Sequence, residues 1–314
     1  MPISFKEDHI SQIPALLMLE KLGYTYLTPD EALALRGGNL ANVLLEPVLR
    51  KQLAAINVVQ VSSVRTTVFS EQNITAGIDA LRNIPMDEGF MEASQTVYDL
   101  LTSGKTLEQI VDGDRKSFVM QYIDWKNPRN NVFHVTEEFA VSRTGMTETY
   151  RPDIVLFVNG IPLCVIECKR PDVKDSIEQA ISQHLRNQKA DGIRSLYLYS
   201  TLLLAINRQE GSYATTATPE KFWARWREQF TNREEEVRYR QELERVVNEP
   251  LLDDKLFGER FGYVRRNFEE LYRQPVIPSV QDEYLYNLCR PERLLQLMYG
   301  FTLYDDGIKK VARY

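Results

Sequence analysis

The chain has few cysteines and no paired framework of them. Its 314 residues include only Cys164, Cys168 and Cys289. Three cysteines with this spacing form neither a disulfide scaffold nor the CxxC pairs that hold structural zinc. Such usage is typical of a reducing compartment, and we expect a cytoplasmic protein.

Long apolar runs are also missing. No stretch approaches the ~20 apolar residues that a membrane-spanning helix needs. The longest candidate, residues 196–206, is predicted to be a core strand, and residues 1–8 lack the basic-then-apolar order of a signal peptide. We therefore expect a protein that does not interact with a membrane.

The sequence lacks a complete phosphate-binding loop. Gly104-Lys105-Thr106 resembles the end of one, but the pattern GxxxxGK[ST] requires a glycine five residues earlier, where the chain has Asp99. No acidic partner strand of the Walker B type is present either. We do not expect ATP hydrolysis within these residues.

An excess of positive charge is missing as well, since the formal net charge is -6. Lysine and arginine contacts to phosphates normally dominate the affinity of DNA-binding proteins. Net charge does not describe the local field, however, so a DNA enzyme is not excluded. The cations that could flank a site or line an approach to it are Lys169, Arg170, Lys174, Arg115, Lys116, Lys126 and Arg129.

The length and the 43% hydrophobic content allow a sizeable core and suggest about two domains. Apolar spacing predicts helices over residues 10–22, 40–56, 75–83, 90–103 and 291–301, and a helical bundle from about 218 to 245. Strands are predicted over residues 58–69, 117–123 and 132–142.

The most informative stretch is residues 151–169. Two runs rich in Val, Ile, Leu and Phe predict strands covered on both faces, and Asn159-Gly160 between them predicts a hairpin turn. In an antiparallel hairpin the start of the first strand lies beside the end of the second. Asp153 is therefore expected to meet Glu167 and Lys169 at one end.

The register of this hairpin decides which side chains share a face, because strand side chains alternate. A strict two-residue loop would pair Asp153 with Ile166 and send Glu167 to the opposite face. A three-residue loop with Gly160 left-handed in a bulge would pair Asp153 with Val165 and bring the three ionisable groups together. We predict the bulged loop.

Two carboxylates and a lysine on one face indicate metal-dependent phosphodiester chemistry. Mg2+ needs only one or two protein carboxylates, which Asp153 and Glu167 would supply. The ion would neutralise charge on the scissile phosphate, and Lys169 would orient the nucleophile or stabilise the transition state. The alternative is a structural ion pair, which is rarely more stable than apolar packing.

These residues resemble the PD-(D/E)xK nuclease motif. The hairpin, the later Gln183 and the closing residues 305–314 together resemble the restriction (motor) subunit of type I restriction enzymes, from about residue 5 to the end. The resemblance implies an α/β fold: a PD-(D/E)xK nuclease core, with a mixed central sheet flanked by helices, followed by a mostly helical segment.

The resemblance also implies the site. Catalytic residues would be Asp153, Glu167, Lys169 and Gln183, with Gln179 as a rival for the glutamine. The chain has Asn187 where a tyrosine is usual. The metal ligands would be Asp153, Glu167 and the backbone carbonyl of Cys168, and Glu7 is a weaker acidic candidate near the first helix.

A domain order follows from the same resemblance: an endonuclease domain in residues 1–217, a helical linker in 218–300, and the start of a connection to a motor in 301–314. The implied function is Mg2+-dependent, non-specific cleavage of double-stranded DNA, with Mn2+ able to substitute. ATP would act only in motor domains beyond this chain, and methylase and specificity subunits would be partners.

Two other functions remain open from the sequence. The chain could be a different PD-(D/E)xK nuclease of DNA repair or recombination. It could also be a catalytically silent nuclease-like module for DNA binding or docking. Asp153, Glu167 and Lys169 are all retained, which favours an active enzyme.

Overall fold

The computed structural model describes residues 11–62, 65–250 and 255–311. Within these ranges strands and helices alternate over the first two thirds of the chain, and helices then predominate. The helices are α1 (Ile13–Lys21), α2 (Pro29–Ala34), α3 (Glu46–Ile56), α4 (Glu71–Arg82), α5 (Phe90–Ser103), α6 (Ser176–Asn187), α7 (Arg194–Tyr197), α8 (Arg233–Val247), α9 (Arg265–Leu271), α10 (Val280–Cys289) and α11 (Pro291–Gly300).

The strands form one central sheet and several separate hairpins. They are β1 (Thr25–Leu27), β2 (Val58–Ser62), β3 (Arg65–Val68), β4 (Lys105–Val111), β5 (Asp114–Met120), β6 (Phe133–Glu137), β7 (Val141–Ser142), β8 (Thr149–Tyr150), β9 (Ile154–Val158), β10 (Ile161–Cys168), β11 (Leu202–Ile206), β12 (Gly211–Ala214), β13 (Thr302–Asp305) and β14 (Ile308–Val311).

The central sheet has the order β1-β6-β9-β10-β11-β12. Strands β1 and β6 are parallel, as are β10 and β11, whereas β6 with β9, β9 with β10, and β11 with β12 are antiparallel. Every residue of β9, β10 and β11 is buried. The expected mixed sheet, with strands covered on both faces, is confirmed.

The C-terminal helices pack against the sheet and against α1. At the α1–α10 contact the Ser11 hydroxyl donates to Gln281 Oε1 at 2.7 Å. The Tyr284 hydroxyl of α10 donates to the carbonyl of Gly211 in β12 at 2.5 Å. Beyond α11, Lys309 of β14 is buried and donates to Thr201 Oγ1 at 3.0 Å. The expected helical segment after the sheet is confirmed.

Several predicted helices agree with the structure, and one begins late. The prediction for residues 90–103 coincides with α5. The prediction for residues 40–56 is wrong at its start, since α3 begins at Glu46. Before it, the side chain of Asn42 accepts the Leu44 N–H and Leu45 donates to the Gly160 carbonyl, so these backbone groups are satisfied outside a helix.

Three predicted strands are interrupted. Residues 58–69 form the hairpin β2–β3, and residues 196–206 divide into the end of α7 and strand β11. Residues 132–142 divide into β6 and β7 because Glu138, between them, has a left-handed backbone with φ of 48°. A strand cannot continue through that conformation.

The predicted helical bundle from about 218 to 245 is wrong over its first half, where a single 3-10 turn at Glu220–Phe222 precedes α8. Tyr213 and Ala224 form an isolated antiparallel bridge instead. The ring of Trp223 lies 5.2 Å from that of His184, and the ring of Trp226 lies 5.5 Å from that of Tyr213. Tertiary packing of the tryptophans therefore overrides helical spacing here.

Among the described residues, none of the helices combines the length and the apolar character required to cross a membrane.

Candidate active site

The turn between β9 and β10 differs from the predicted one. Val158 pairs with Ile161, so the loop is the strict two-residue Asn159-Gly160. Both residues have positive φ, 52° and 84°, as the tight hairpin turn requires. A Cβ on Gly160 would lie 2.6 Å from the Leu45 carbonyl oxygen, so the position favours glycine. The prediction of a three-residue loop is wrong.

A bulge farther along β10 places Asp153 and Glu167 on the same face of the sheet despite the two-residue loop. Pro162 pairs with Phe157, but Cys164 pairs with Leu156, so Leu163 is an extra residue. Proline cannot donate a ladder hydrogen bond and is tolerated within a sheet at such bulges. Continuing the register one step beyond the last pair, Ile154 with Ile166, places Asp153 opposite Glu167 rather than Val165.

Asp153, Cys168 and Lys169 are in direct contact at this end of the hairpin. Asp153 Oδ2 accepts the Cys168 N–H at 2.7 Å and lies 3.4 Å from Lys169 Nζ. Lys169 Nζ also donates to the Cys168 carbonyl at 3.1 Å. The structure therefore brings together the residues that the hairpin argument selected, by a different register.

Glu167 is the most deeply buried carboxylate of this group, with no exposed surface. Its pKa is raised well above the usual glutamate range, first by burial and next by the neighbouring charge of Asp153. Lys169 opposes the shift by a smaller amount. Two carboxylates this close are not both ionised at low cost unless a proton or a cation lies between them.

The donor set fits a hard divalent cation. Glu167 Oε2 is buried and accepts no hydrogen bond from the described residues. These residues contain no cluster of three His, Cys, Asp or Glu side chains, so side chains alone would supply two ligands here. Mg2+ needs no more than one or two carboxylates, and the Cys168 carbonyl adjoins them as a further oxygen donor.

Helix α6 contributes the next group to the site. The buried side chain of Asn187 donates from Nδ2 to Glu167 Oε1 at 3.5 Å. Gln183 lies one turn earlier on the helix, is partly exposed and has no hydrogen-bond partner among the described residues. The rival Gln179 is exposed and donates to the Lys174 carbonyl at 3.0 Å, outside this group.

Two further groups near Asp153 were missed by the sequence argument. Gln12, at the start of α1, donates to the Asp153 carbonyl at 3.0 Å and hydrogen-bonds Glu138. The Glu138 N–H donates to the same carbonyl at 3.0 Å. Burial and then the charge of Asp153 raise the pKa of Glu138. No sequence signal marked Glu138, because residues 132–142 were predicted to be one continuous strand. Glu7, the acidic candidate near the first helix, lies outside the described residues.

A second buried carboxylate, Glu137, is the last residue of β6 and lies at the same end of the strands as Asp153. It accepts the Tyr26 hydroxyl at 2.6 Å and Arg260 Nε at 2.9 Å. Both of its oxygens are thus occupied by protein donors. Glu137 therefore has a structural role at this end of the sheet, whereas Glu167 Oε2 accepts no hydrogen bond from the described residues.

The cations are distributed differently from the prediction. The segment of Lys126 and Arg129 is joined to the hairpin turn, where Asn159 Nδ2 donates to Asn131 Oδ1 at 2.7 Å. That turn is at the opposite end of β9 from Asp153, so these two cations do not line the site. Near the site, the guanidinium groups of Arg186 and Arg143 lie 4.4 and 4.7 Å from the Tyr150 ring.

Comparison with known proteins identifies the family of the chain. The family model described as "Type I restriction enzyme R protein N terminus" matches residues 4–222, more than half of the chain. The chain belongs to this family. The match contains the whole central sheet and every residue of the site described above, so the expected relationship is confirmed.

Individual members of the family are similar over the same region. The type I restriction enzyme HindI endonuclease subunit of Haemophilus influenzae is 29% identical over 206 residues, 63% of this chain and 18% of that protein. A Methanocaldococcus jannaschii protein named as the type I restriction enzyme MjaIXP endonuclease subunit is 27% identical over 228 residues, 70% of this chain and 20% of that protein. The matched region thus spans about a fifth of these relatives.

Replacing Glu167 by glutamine tests the cost of its buried charge. A raised pKa means that the stability contributed by protonated Glu167 is complete below pH 4.5 and is lost as pH rises through the raised value. Glutamine mimics the protonated form at every pH. Without metal, we expect Glu167→Gln to raise the Tm at pH 8 by about 2 °C or more, and not near pH 4.5.

Scanning calorimetry in a chelator at the two pH values measures this difference. Glu178, on the exposed face of α6, offers a matched control. Glu178→Gln should shift the Tm by only about 1 °C at either pH, since exposed substitutions are close to neutral. A Glu167→Gln variant less stable than the wild type at pH 8 would contradict the buried-charge interpretation.

Proposed function

We propose that this chain is the PD-(D/E)xK endonuclease domain of a type I restriction enzyme R subunit, and that it cleaves double-stranded DNA with Mg2+. The main support is Glu167 Oε2, a buried carboxylate oxygen with no donor from the described residues, beside Asp153 and Lys169. A structural ion pair would leave no such oxygen, because burying it uncompensated costs free energy.

The proposed ligands are the carboxylates of Asp153 and Glu167 and the carbonyl of Cys168. When bound, Mg2+, or Mn2+ in its place, supplies charge neutralisation at the scissile phosphodiester and activation of the attacking water. The Cys168 N–H holds Asp153 in place through Oδ2. Lys169, 3.4 Å from Asp153, would present its ammonium group to the developing negative charge.

Gln183 is proposed as a fourth catalytic residue. It lies one helical turn before Asn187, whose amide contacts Glu167, and its own amide is not used by the described residues. An amide in this position can donate to the attacking water or to a phosphate oxygen. Gln179 is a weaker candidate because it already donates to the Lys174 carbonyl.

The family supports a proposal for the substrate and the assembly. The relatives are named as endonuclease subunits of type I restriction enzymes, which supports DNA as the substrate. We propose that the parent protein moves along DNA with ATP-driven motor domains outside these residues, and that this domain then cuts without reading sequence. Methylase and specificity subunits would complete the complex in the cytoplasm.

Two substitutions separate metal binding from catalysis. Glu167→Ala removes a ligand and should abolish Mn2+ binding measured by calorimetry, together with plasmid cleavage. Lys169→Met keeps the ligands and should retain Mn2+ binding within about threefold while cleavage falls by about 100-fold or more, the scale of a lost transition-state donor. Cleavage is measured on supercoiled plasmid, with the complete restriction complex if the chain alone is inactive.

The outcomes discriminate between the functions considered. Mn2+ binding that is the same in the wild type and in Glu167→Ala, with DNA present as well, would refute the proposed site. Binding of DNA without metal-dependent cleavage, even in the complete complex, would favour a catalytically silent module. Cutting that needs neither motor nor methylase partners would indicate a repair or recombination nuclease.

Helix α6 provides its own matched pair of variants. Gln183→Ala should lower the cleavage rate by about tenfold or more, whereas Gln179→Ala should leave it unchanged, because Gln183 is one turn from Asn187 while Gln179 is two turns away and already donates to the Lys174 carbonyl. Single-turnover plasmid cleavage measures both rates. Equal losses, or a larger loss in Gln179→Ala, would remove Gln183 from the site.

A further inference from the structure

An arginine beside the proposed metal site is held in one orientation. Arg186 of α6 precedes Asn187, whose amide contacts Glu167. The Arg186 side chain donates to Asn187 Oδ1 from Nε at 3.3 Å and from Nη2 at 3.1 Å. Its guanidinium carbon lies 4.4 Å from the centre of the Tyr150 ring. Two hydrogen bonds and a ring contact therefore orient this guanidinium group, although the residue is exposed.

Both supports of Arg186 are connected to the proposed metal ligands. Tyr150 ends β8 and lies three residues before Asp153 in the chain. Asn187 connects Arg186 to Glu167, since Asn187 Nδ2 lies 3.5 Å from Glu167 Oε1. Arg186 is close enough for its charge to oppose the rise in the pKa of Glu167. The guanidinium group is thus beside the site and not on a remote surface.

The charge of Arg186 is not neutralised by a carboxylate. Among the described residues, no ion pair joins it to an aspartate or a glutamate. Three other arginines near the site do have such partners: Arg143 with Asp191, Arg170 with Asp172, and Arg260 with Glu137. A guanidinium group has five N–H donors, and Asn187 accepts from only two of those of Arg186. Arg186 therefore keeps both charge and donors for a ligand.

These properties fit a phosphate group of DNA. Guanidinium donors match phosphate oxygens in pairs, and a guanidinium group that lies on an aromatic ring is pre-organised for such a contact. The DNA backbone would approach two carboxylates, Asp153 and Glu167, in a chain whose net charge is -6. Because Lys and Arg contacts to phosphates supply much of the affinity for DNA, a cation in this position would offset the repulsion.

We infer that Arg186 binds a backbone phosphate of duplex DNA next to the bond that is cut, with Tyr150 and Asn187 holding its guanidinium group in place. This inference rests on the proposed function and assigns a DNA contact to the same site. Arg186 touches the substrate and not the cation. Its loss should therefore weaken DNA binding and leave metal binding in place.

The salt dependence of DNA binding tests the inference. Each phosphate that a protein cation neutralises contributes roughly 0.9 to the slope of log affinity against log salt concentration. Arg186→Gln should reduce the magnitude of this slope by about 0.9 and lower the affinity about tenfold at low salt. Fluorescence anisotropy of a labelled duplex in a chelator measures both quantities, with the complete restriction complex if the chain alone does not bind.

Two variants serve as controls. Arg129→Gln removes the same charge from an exposed arginine whose segment lies at the opposite end of β9 from Asp153, so its slope and affinity should equal those of the wild type. Arg186→Lys keeps the charge but loses the paired donors and the flat face on Tyr150. Its slope should equal that of the wild type, while its affinity falls by about threefold.

Calorimetric titration with Mn2+ in the absence of DNA distinguishes a DNA contact from support of the metal ligands. Arg186→Gln should keep the Mn2+ affinity of the wild type within about threefold, whereas residues that orient metal ligands normally cost about tenfold or more. A loss of that size in Arg186→Gln would overturn the inference and assign Arg186 to the support of Asn187. An unchanged salt slope in Arg186→Gln, or an equal reduction in Arg129→Gln, would also overturn it.

Failure of the inference and failure of the proposed function are distinguishable. DNA binding with an unchanged slope in Arg186→Gln, together with Mn2+ binding that depends on Glu167, overturns the inference and leaves the metal site in place. A wild type that binds neither Mn2+ nor DNA, in the complete complex as well, overturns both.

Discussion

A buried carboxylate beside a second carboxylate is the constraint on which the rest of the site depends. Glu167 is fully buried, Asp153 lies next to it, and burial and this charge both raise the Glu167 pKa. Such an arrangement is costly in the absence of a cation. At the same end of the strands, Glu137 is also buried, but its two oxygens accept hydrogen bonds from Tyr26 and Arg260. That difference distinguishes a structural carboxylate from a candidate ligand.

The surrounding elements prevent the site from relaxing. Strands β9 and β10 are each paired on both sides within the sheet, so the ends that bear Asp153 and Glu167 are held in one register. Two donors, from Gln12 and Glu138, hold the carbonyl of Asp153. Helix α6 places Asn187 against Glu167. A site held this rigidly can keep two ligands in place before the cation arrives.

Local patterns predicted which residues lie together better than they predicted the register that brings them together. The apolar runs and the Asn159-Gly160 turn were sufficient to bring Asp153, Glu167 and Lys169 together, because hairpin pairing is local. The predicted register was wrong, because the bulge is at Leu163, next to Pro162, and not in the loop; that proline was the available signal. Gln12 had no local signal, since its contact with the Asp153 carbonyl depends on how the start of α1 packs beside the sheet. The left-handed Glu138 was equally invisible, because residues 132–142 look like one strand.

The proposed metal site is tested most directly by diffraction from crystals of the chain grown with Mn2+, with data collected at the manganese absorption edge. We expect an anomalous peak bounded by the carboxylates of Asp153 and Glu167 and the carbonyl of Cys168, at roughly 2.0 to 2.3 Å from their oxygens, slightly beyond the range for Mg2+. Absence of a peak there, also in crystals that contain DNA, would contradict the proposed metal site. The buried carboxylates of Asp153 and Glu167 would then have no cation to compensate their charge.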